Sequence, residues 1–360
     1  MKRIIPLIIF QLFITTNLLS QVENLNVEYE KARKESNQER ISEIIKKAEE
    51  NPNQMNINLL IKILKEDEDS INRASAAISL GNLKNSKIIV DALIYAFLND
   101  DNRVREATIT SLYKMVEQGA QGANASLVPI FERAVNDQKN ENIRKYGILG
   151  LSKVAQSKHY KFFLEGLKSE DVVVKLASIE ALGTIGAQRE WGQIQPFCNS
   201  TDSRLVVACI NVAGKFKTGY ALLEIEKKIS DPDPEISSAA INALSQFQGS
   251  SVIQNLVRLK YQDPNNQHID LINKILKSKN AYKKYAYIKA PLNLRNLPNE
   301  NASVVKVLAQ GSIVEVLDRE KKRYELETNN TLVSDFWYKV KDFDNKIGYV
   351  FGYYIDVIDL

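Results

Sequence analysis

From about residue 70 to residue 260 the apolar positions recur with a helical period, and the helices themselves recur. Val104, Ile143, Val174, Leu205 and Ile236 stand 39, 31, 31 and 31 residues apart, and Asn72 falls in the same column 32 residues before Val104. Offsets of three, four, seven, eight and eleven from each anchor lie on one face of an α-helix. From Val174 they give Ala177, Ser178, Ala181, Leu182 and Ile185; from Ile236, Ala239, Ala240, Ala243, Leu244 and Phe247. That face is small residues closed by a large apolar one, which lets neighbouring helices approach closely. Offset five holds Ile109, Ile148, Ile179, Ile210 and Ile241, a second packed face. A second apolar segment follows in each unit, such as IIVDALIYAFL at 88–98. Each repeat is therefore a helix pair of about 31 residues that cannot bury its apolar surface alone. Six pairs are visible. Residues 40–65 read as a divergent first pair or an N-terminal cap, and residues 267–277 as a cap at the other end.

After Lys277 the helical period is lost in SKNAYKKYAYIKAP, a polar, basic linker. Then LNLR, SVVKVLAQGSIVEVL, WYKVK and IGYVF carry short strands, with a Gly turn inside the second and DFDN as a hairpin turn between the last two. Several short strands in about 75 residues predict a small barrel. The fold class is thus multidomain: an all-α solenoid followed by a small all-β barrel. The expected boundaries are 1–20 for a leader, 21–53 for an N-terminal helical cap, 54–277 for the solenoid, 278–284 for the linker and 285–360 for the barrel.

Three residues before the anchors stand Asp69, Asp101, Asn140, Asp171, Asp202 and Asp233. A column of acids invites a metal or catalytic reading. The position lies just before a helix start, where a short carboxylate or amide accepts orphan N–H bonds. One such residue per repeat is strung along the molecule rather than gathered, so these are read as structural helix caps. DPDPE at 231–235 is likewise a Pro-stiffened turn and cap. The pattern Asp-x-x-Val-Arg-x-x-Ala-x-x-Ala-Leu-Gly, best kept in DDNRVREATITSL and DVVVKLASIEALGTIG, resembles HEAT repeats of the short type seen in phycobilisome-lyase-like proteins. The resemblance covers roughly residues 54–260. Its basic column is kept at Arg73, Arg105 and Arg144, is Lys175 in the next repeat, and is lost at Val206 and Ser237. It implies an α-solenoid whose concave surface meets partners. The lyase chemistry of some relatives does not carry over, because nothing here matches a chromophore site.

The C-terminal segment resembles the bacterial Src-homology-3-like (SH3b) domain. The matching residues are Leu292–Arg295, Pro298, Val304-Val305, Leu308, Gly311, Val314, Val316, Trp337–Val340 and Gly348–Val350. It departs from the family at Leu297, at Tyr349 where Trp is usual, and in the long connection Asp318–Phe336. Such domains in exported bacterial proteins commonly act as tethers, and some bind wall peptides. Trp337, Tyr349, Phe351, Tyr353 and Tyr354 concentrate aromatic surface near the C-terminus and are the candidate ligand groove of the barrel. The competing reading makes Trp337 and Tyr349 barrel core.

Composition adds context. The first residues, MKRIIPLIIFQLFITTNLLSQ, place two cations before an apolar run from Ile4 to Leu19. The run is short for a membrane span and fits a secretory signal, with cleavage after Ser20; the competing reading is an uncleaved anchor. Without Lys2 and Arg3, 46 basic residues face 44 acidic ones. That balance gives no polyanion-binding surface, and nucleic acid is not an expected partner. Cys198 and Cys209 occupy repeat positions of small apolar residues; they come from adjoining helices, so export would permit a disulfide. GAQGANAS, Gly119–Ser126, reads as a loop inserted between the helices of one repeat. His159 and His268 have no metal-ligand spacing, and no phosphate-binding glycine loop, GxSxG or HExxH occurs. No cofactor, metal or catalytic residue is expected.

The expected function is an exported, non-enzymatic scaffold of the bacterial periplasm or cell envelope. Its solenoid would bind a protein partner, and its barrel would tether to the cell wall or to a second protein, with no membrane span in the mature chain. The alternative is a peptidoglycan-binding accessory module that positions a separate envelope enzyme. A third reading, an enzyme in the solenoid groove, has no segment to recommend it.

Overall fold

The computed structural model describes residues 24–119, 124–262, 267–328 and 331–358. The segment read as an export signal, and residues 120–123 of the Gly119–Ser126 loop, lie outside the described residues. Among the described residues sixteen α-helices form a helical-repeat solenoid, followed by an antiparallel sheet. The chain divides into two compact units, with the boundary between Ala187 and Gln188.

The first unit holds α1 (Leu25–Lys34), α2 (Gln38–Glu50), α3 (Gln54–Glu66), α4 (Ser70–Asn82) and α5 (Lys87–Asn99). It continues with α6 (Asn102–Glu117), α7 (Asn124–Val135), α8 (Glu141–Lys153), α9 (Tyr160–Gly166) and α10 (Val172–Thr184). Helices α2, α4, α6, α8 and α10 pack one on the next in chain order, while α3, α5, α7 and α9 each pack against the helix that follows. The small-residue face is what permits the first layer. Ala76, Ala77 and Gly81 of α4 are buried, and Ser111 of α6 comes close enough for its hydroxyl to donate to the Ala77 carbonyl at 2.9 Å. A Cβ on Gly81 would stand 2.5 Å from Ser111 Cβ, so glycine is required by that approach. Helix α2 belongs to the same layer and is capped by Asn37, 32 residues before Asp69.

The second unit holds α11 (Trp191–Ile194), α12 (Ser203–Phe216), α13 (Gly219–Lys228), α14 (Pro234–Ser245), α15 (Ser250–Gln262) and α16 (Ile269–Ser278). Helices α12 and α14 pack closely, with Gly214 against Ala243. Cys198, in the 3-10 turn before α12, and Cys209, within it, are fully buried and joined as a disulfide with Cα atoms 5.2 Å apart. The sequence left open both a pair of small apolar fillers and a disulfide; the fold forms the disulfide.

The sheet strands are β1 (Tyr285–Ile288), β2 (Leu292–Arg295), β3 (Val304–Leu308), β4 (Ile313–Arg319), β7 (Trp337–Lys341), β8 (Ile347–Phe351) and β9 (Ile355–Val357). They run in the order β3-β2-β8-β7-β4-β1-β9, antiparallel throughout. Ala286, Ile288, Leu294, Leu308, Val314, Val340, Val350 and Ile355, from all seven strands, meet in one buried cluster. A sheet whose strands from both edges share one core is curled on itself, as an SH3-like module requires. The long connection Asp318–Phe336 contains the two-stranded hairpin β5 (Tyr324–Thr328) and β6 (Thr331–Asp335). Within this unit α15 packs on β1 and β4, and Tyr261 stacks on Tyr287 with centroids 5.1 Å apart.

Candidate functional site

Each anchor helix starts from a turn whose capping side chain accepts a backbone N–H of the first helical turn. Asp69 accepts from Ile71 N–H at 2.8 Å, Asp101 from Val104 at 3.1 Å and Asn140 from Ile143 at 3.1 Å. Asp171 accepts from Val173 at 2.8 Å, Asp202 from Arg204 at 3.0 Å and Asp233 from Glu235 at 2.8 Å. Among the described residues no three His, Cys, Asp or Glu side chains gather as a metal site.

A second polar column lies just outside the caps. Asp67, Asp100, Asp137, Ser169, Ser200 and Asp231 each accept a backbone N–H inside their own turn, at 2.8–3.1 Å. Two of these acids also receive the arginine of the preceding repeat. Arg73 holds Asp100 through Nε and Nη2, and Arg105 Nη2 meets Asp137 at 2.6 Å. The Asp100 carboxylate raises the Arg73 pKa. Burial alone would raise Asp137, but the amides of Lys139 and Asn140 and the Arg105 guanidinium outweigh it and hold the carboxyl below its usual range. The sequence shows the arginine column; it hides the acids, whose distance from the cap drifts from one to three residues.

The five aromatic residues of the sheet do not line one groove. Trp337 and Phe351 face each other across β7 and β8 with ring centroids 5.5 Å apart, and they are 3% and 1% exposed. They are core, not groove wall, because strand register turns both rings into the interior. Tyr349 is half-buried opposite Lys339. Strand β8 stops at Phe351, and a 3-10 turn carries Tyr353 and Tyr354, whose rings meet edge to face at 5.1 Å. Tyr354 is tied by its hydroxyl to Thr328 of the β5–β6 hairpin. Tyr353 is 46% exposed, with Lys289 Nζ 5.8 Å from its ring centre. The exposed aromatic surface is therefore centred on Tyr353. Val304, Val305 and Val307, on the edge strand β3, add exposed apolar surface.

In the first unit, α3 and α5 frame a cleft of about 550 Å³ lined by Ile61, Lys65, Ile88, Asp91 and Tyr95. Ile88 and Tyr95 are half-exposed, and Lys65 Nζ lies 5.6 Å from the Tyr95 ring centre. The signal for it was IIVDALIYAFL itself, which carries more apolar residues than one helix face can bury.

The family of HEAT repeats matches residues 57–138, and that of the bacterial SH3 domain matches residues 290–356. The chain carries both. No curated protein matches it. Among solved structures, an engineered protein is 14% identical, with a TM-score of 0.51 over 72% of this chain and 79% of its own. The YibA protein of Escherichia coli is 16% identical, with a TM-score of 0.49 over 69% of this chain and 95% of its own. The complex of CpcE and CpcF of phycocyanin lyase from Nostoc sp. PCC7120 is 19% identical, with a TM-score of 0.39 over 63% and 96%. The likeness to the engineered protein, at 14% identity, is one of fold.

Proposed function

We propose that this chain is an exported, non-enzymatic scaffold, with residues 54–277 as its repeat body, 278–284 as linker and 285–360 as tether. The repeat body holds a protein partner, and the SH3 domain fixes the assembly to the cell wall or to a second protein. The observation that carries the reading is the presence of HEAT repeats and a bacterial SH3 domain in one chain. Three features support it. The Ile88–Tyr95 cleft offers apolar surface on the repeats, and Tyr353 with Lys289 offers an aromatic and cationic handle on the sheet. The Cys198–Cys209 bridge suits an oxidising compartment, as does the cationic and apolar start of the chain.

Co-sedimentation of the chain from Gln21 with purified peptidoglycan tests the tether. Pelleting that Tyr353→Ala weakens supports attachment to the wall through that surface. A chain that stays in the supernatant removes the wall from the proposal and leaves a protein-only scaffold. In-cell crosslinking from position 95 then tests the partner cleft.

A further inference from the structure

The arginine–aspartate ladder breaks at its third rung. Arg73 and Arg105 each reach a carboxylate in the next repeat's turn, Asp100 and Asp137. Arg144 occupies the same column and keeps the backbone half of the arrangement. Its Nη1 donates to the Asp137 carbonyl at 3.0 Å, as Arg73 Nη1 donates to the Asp67 carbonyl at 2.9 Å. The acid is gone. In its place stands Ser169, whose hydroxyl accepts the Asp171 N–H and so keeps the turn without the charge. Among the described residues no carboxylate comes within ion-pair distance of the half-buried Arg144.

What faces Arg144 instead is a pocket of about 280 Å³ between α7, α8, α9 and the start of α10, with Ile148, Phe162 and Val174 among its walls. The other charges around it are mostly matched. Lys145 is held by Asp171 at 2.6 Å and Lys168 by Glu165 at 2.8 Å. Glu141, one turn before Arg144 on α8, is exposed and forms no ion pair among the described residues. A half-buried guanidinium without a counter-ion is an incomplete arrangement, and its planar fork fits a carboxylate in two-point contact.

We propose that this pocket binds a carboxylate borne on a small apolar group, the ligand's carboxylate standing where Asp100 and Asp137 stand in the preceding repeats. A free small acid and the C-terminal carboxylate of a peptide share that chemistry. The site lies wholly within the repeats and stands whether or not the sheet binds the wall.

The test is isothermal titration of the chain from Gln21 with three probes: phenylacetate, an acetylated dipeptide ending in leucine with a free carboxylate, and its amide. Phenylacetate binding identifies a small-acid site; binding of the free dipeptide but not of phenylacetate identifies a peptide-terminus site. The amide binds neither way. Arg144→Gln weakens binding about tenfold to a hundredfold, the loss expected when a charged hydrogen-bond partner is removed. Arg144→Lys retains part of it, and Glu141→Gln, which removes the rival carboxylate, leaves it equal or stronger. Ser169→Asp rebuilds the missing rung. It raises the urea midpoint of the folded chain and abolishes binding. No heat with any free acid up to about 10 mM overturns the proposal. So does binding that a folded Arg144→Gln variant retains, or amide binding equal to the acid's.

Discussion

The Arg105 guanidinium meets the Asp137 carboxylate at 2.6 Å across 32 residues of sequence, from one repeat into the turn of the next. The same carboxylate accepts the Lys139 and Asn140 amides at 2.9 Å. One side chain therefore shapes a turn and links two repeats. Asp137→Asn keeps a side-chain acceptor for the turn but removes the charge. It is expected to cost roughly 2 kcal/mol near neutral pH, as a hydrogen bond between charged groups is lost at a largely buried site. The Asp137 pKa is lower in the folded chain than in the unfolded one. Its contribution is therefore complete above the ordinary carboxylate value of about 3.9 and drains as pH falls through the folded value. Urea midpoints of the two proteins, well separated at neutral pH, should converge in strong acid. Parallel curves down to acid pH would assign the loss to turn geometry rather than to charge.

The Cys198–Cys209 bridge closes a loop of 11 residues of sequence separation. Loop-closure entropy for a ring of this size gives roughly 2–3 kcal/mol. Both sulfurs are fully buried, so reductant should act only as the second unit opens. Replacing both residues by alanine is expected to destabilise that unit by this amount, seen as a lower urea midpoint, and to make it insensitive to reductant. An unchanged midpoint would mean that local packing alone holds the 3-10 turn against α12.

The repeats were legible because they are written many times. Ala, Ser and Leu return at fixed offsets, so one helix corroborates the next. What the sequence hid were features written once or out of phase. Asp100 and Asp137 drift against the cap column because the turns differ in length. Tyr285–Ile288 pairs with β4 and β9 but lies in a basic run that reads as linker. The β5–β6 hairpin sits in a charged connection where periodicity gives little help. The aromatic residues show the limit for sites. Strand alternation puts Tyr349 and Phe351 on one face, yet burial then divides them, and the turn after Phe351 decides which tyrosine meets solvent.

Gly150 of α8 lies against Phe131 of α7, and a Cβ there would come 2.3 Å from the ring. The ring is fully buried and has no open space to enter. Gly150→Ala is therefore expected to destabilise the first unit by about 1–3 kcal/mol despite the better helix propensity of alanine. Gly192 has nothing within 4 Å of the place a methyl group would take and serves as the control. Thermal unfolding of the two variants compares them directly; equal midpoints would show that α7 and α8 separate freely.

Tyr261, near the end of α15, stacks on Tyr287 of β1 with rings 17° from parallel. Among the last repeats, Lys279, just after α16, donates its ammonium to the Phe247 carbonyl after α14 at 2.9 Å, and burial lowers its pKa. Strand β1 is the second strand from one edge of the sheet and supplies Ala286 and Ile288 to its core. A helix stacked on such a strand ties β1 to the last repeats, and α15 and β1 should open together, locally, before the rest of the sheet. Tyr261→Ala removes an aromatic pair of about 1 kcal/mol and leaves the sheet's own core intact. Amide exchange in β1 is then expected to rise by up to about tenfold, while exchange in β2 and β8, away from the helix, stays near its original rate. If β1 protection does not change, the stack is incidental and the sheet is stabilised by its own core alone.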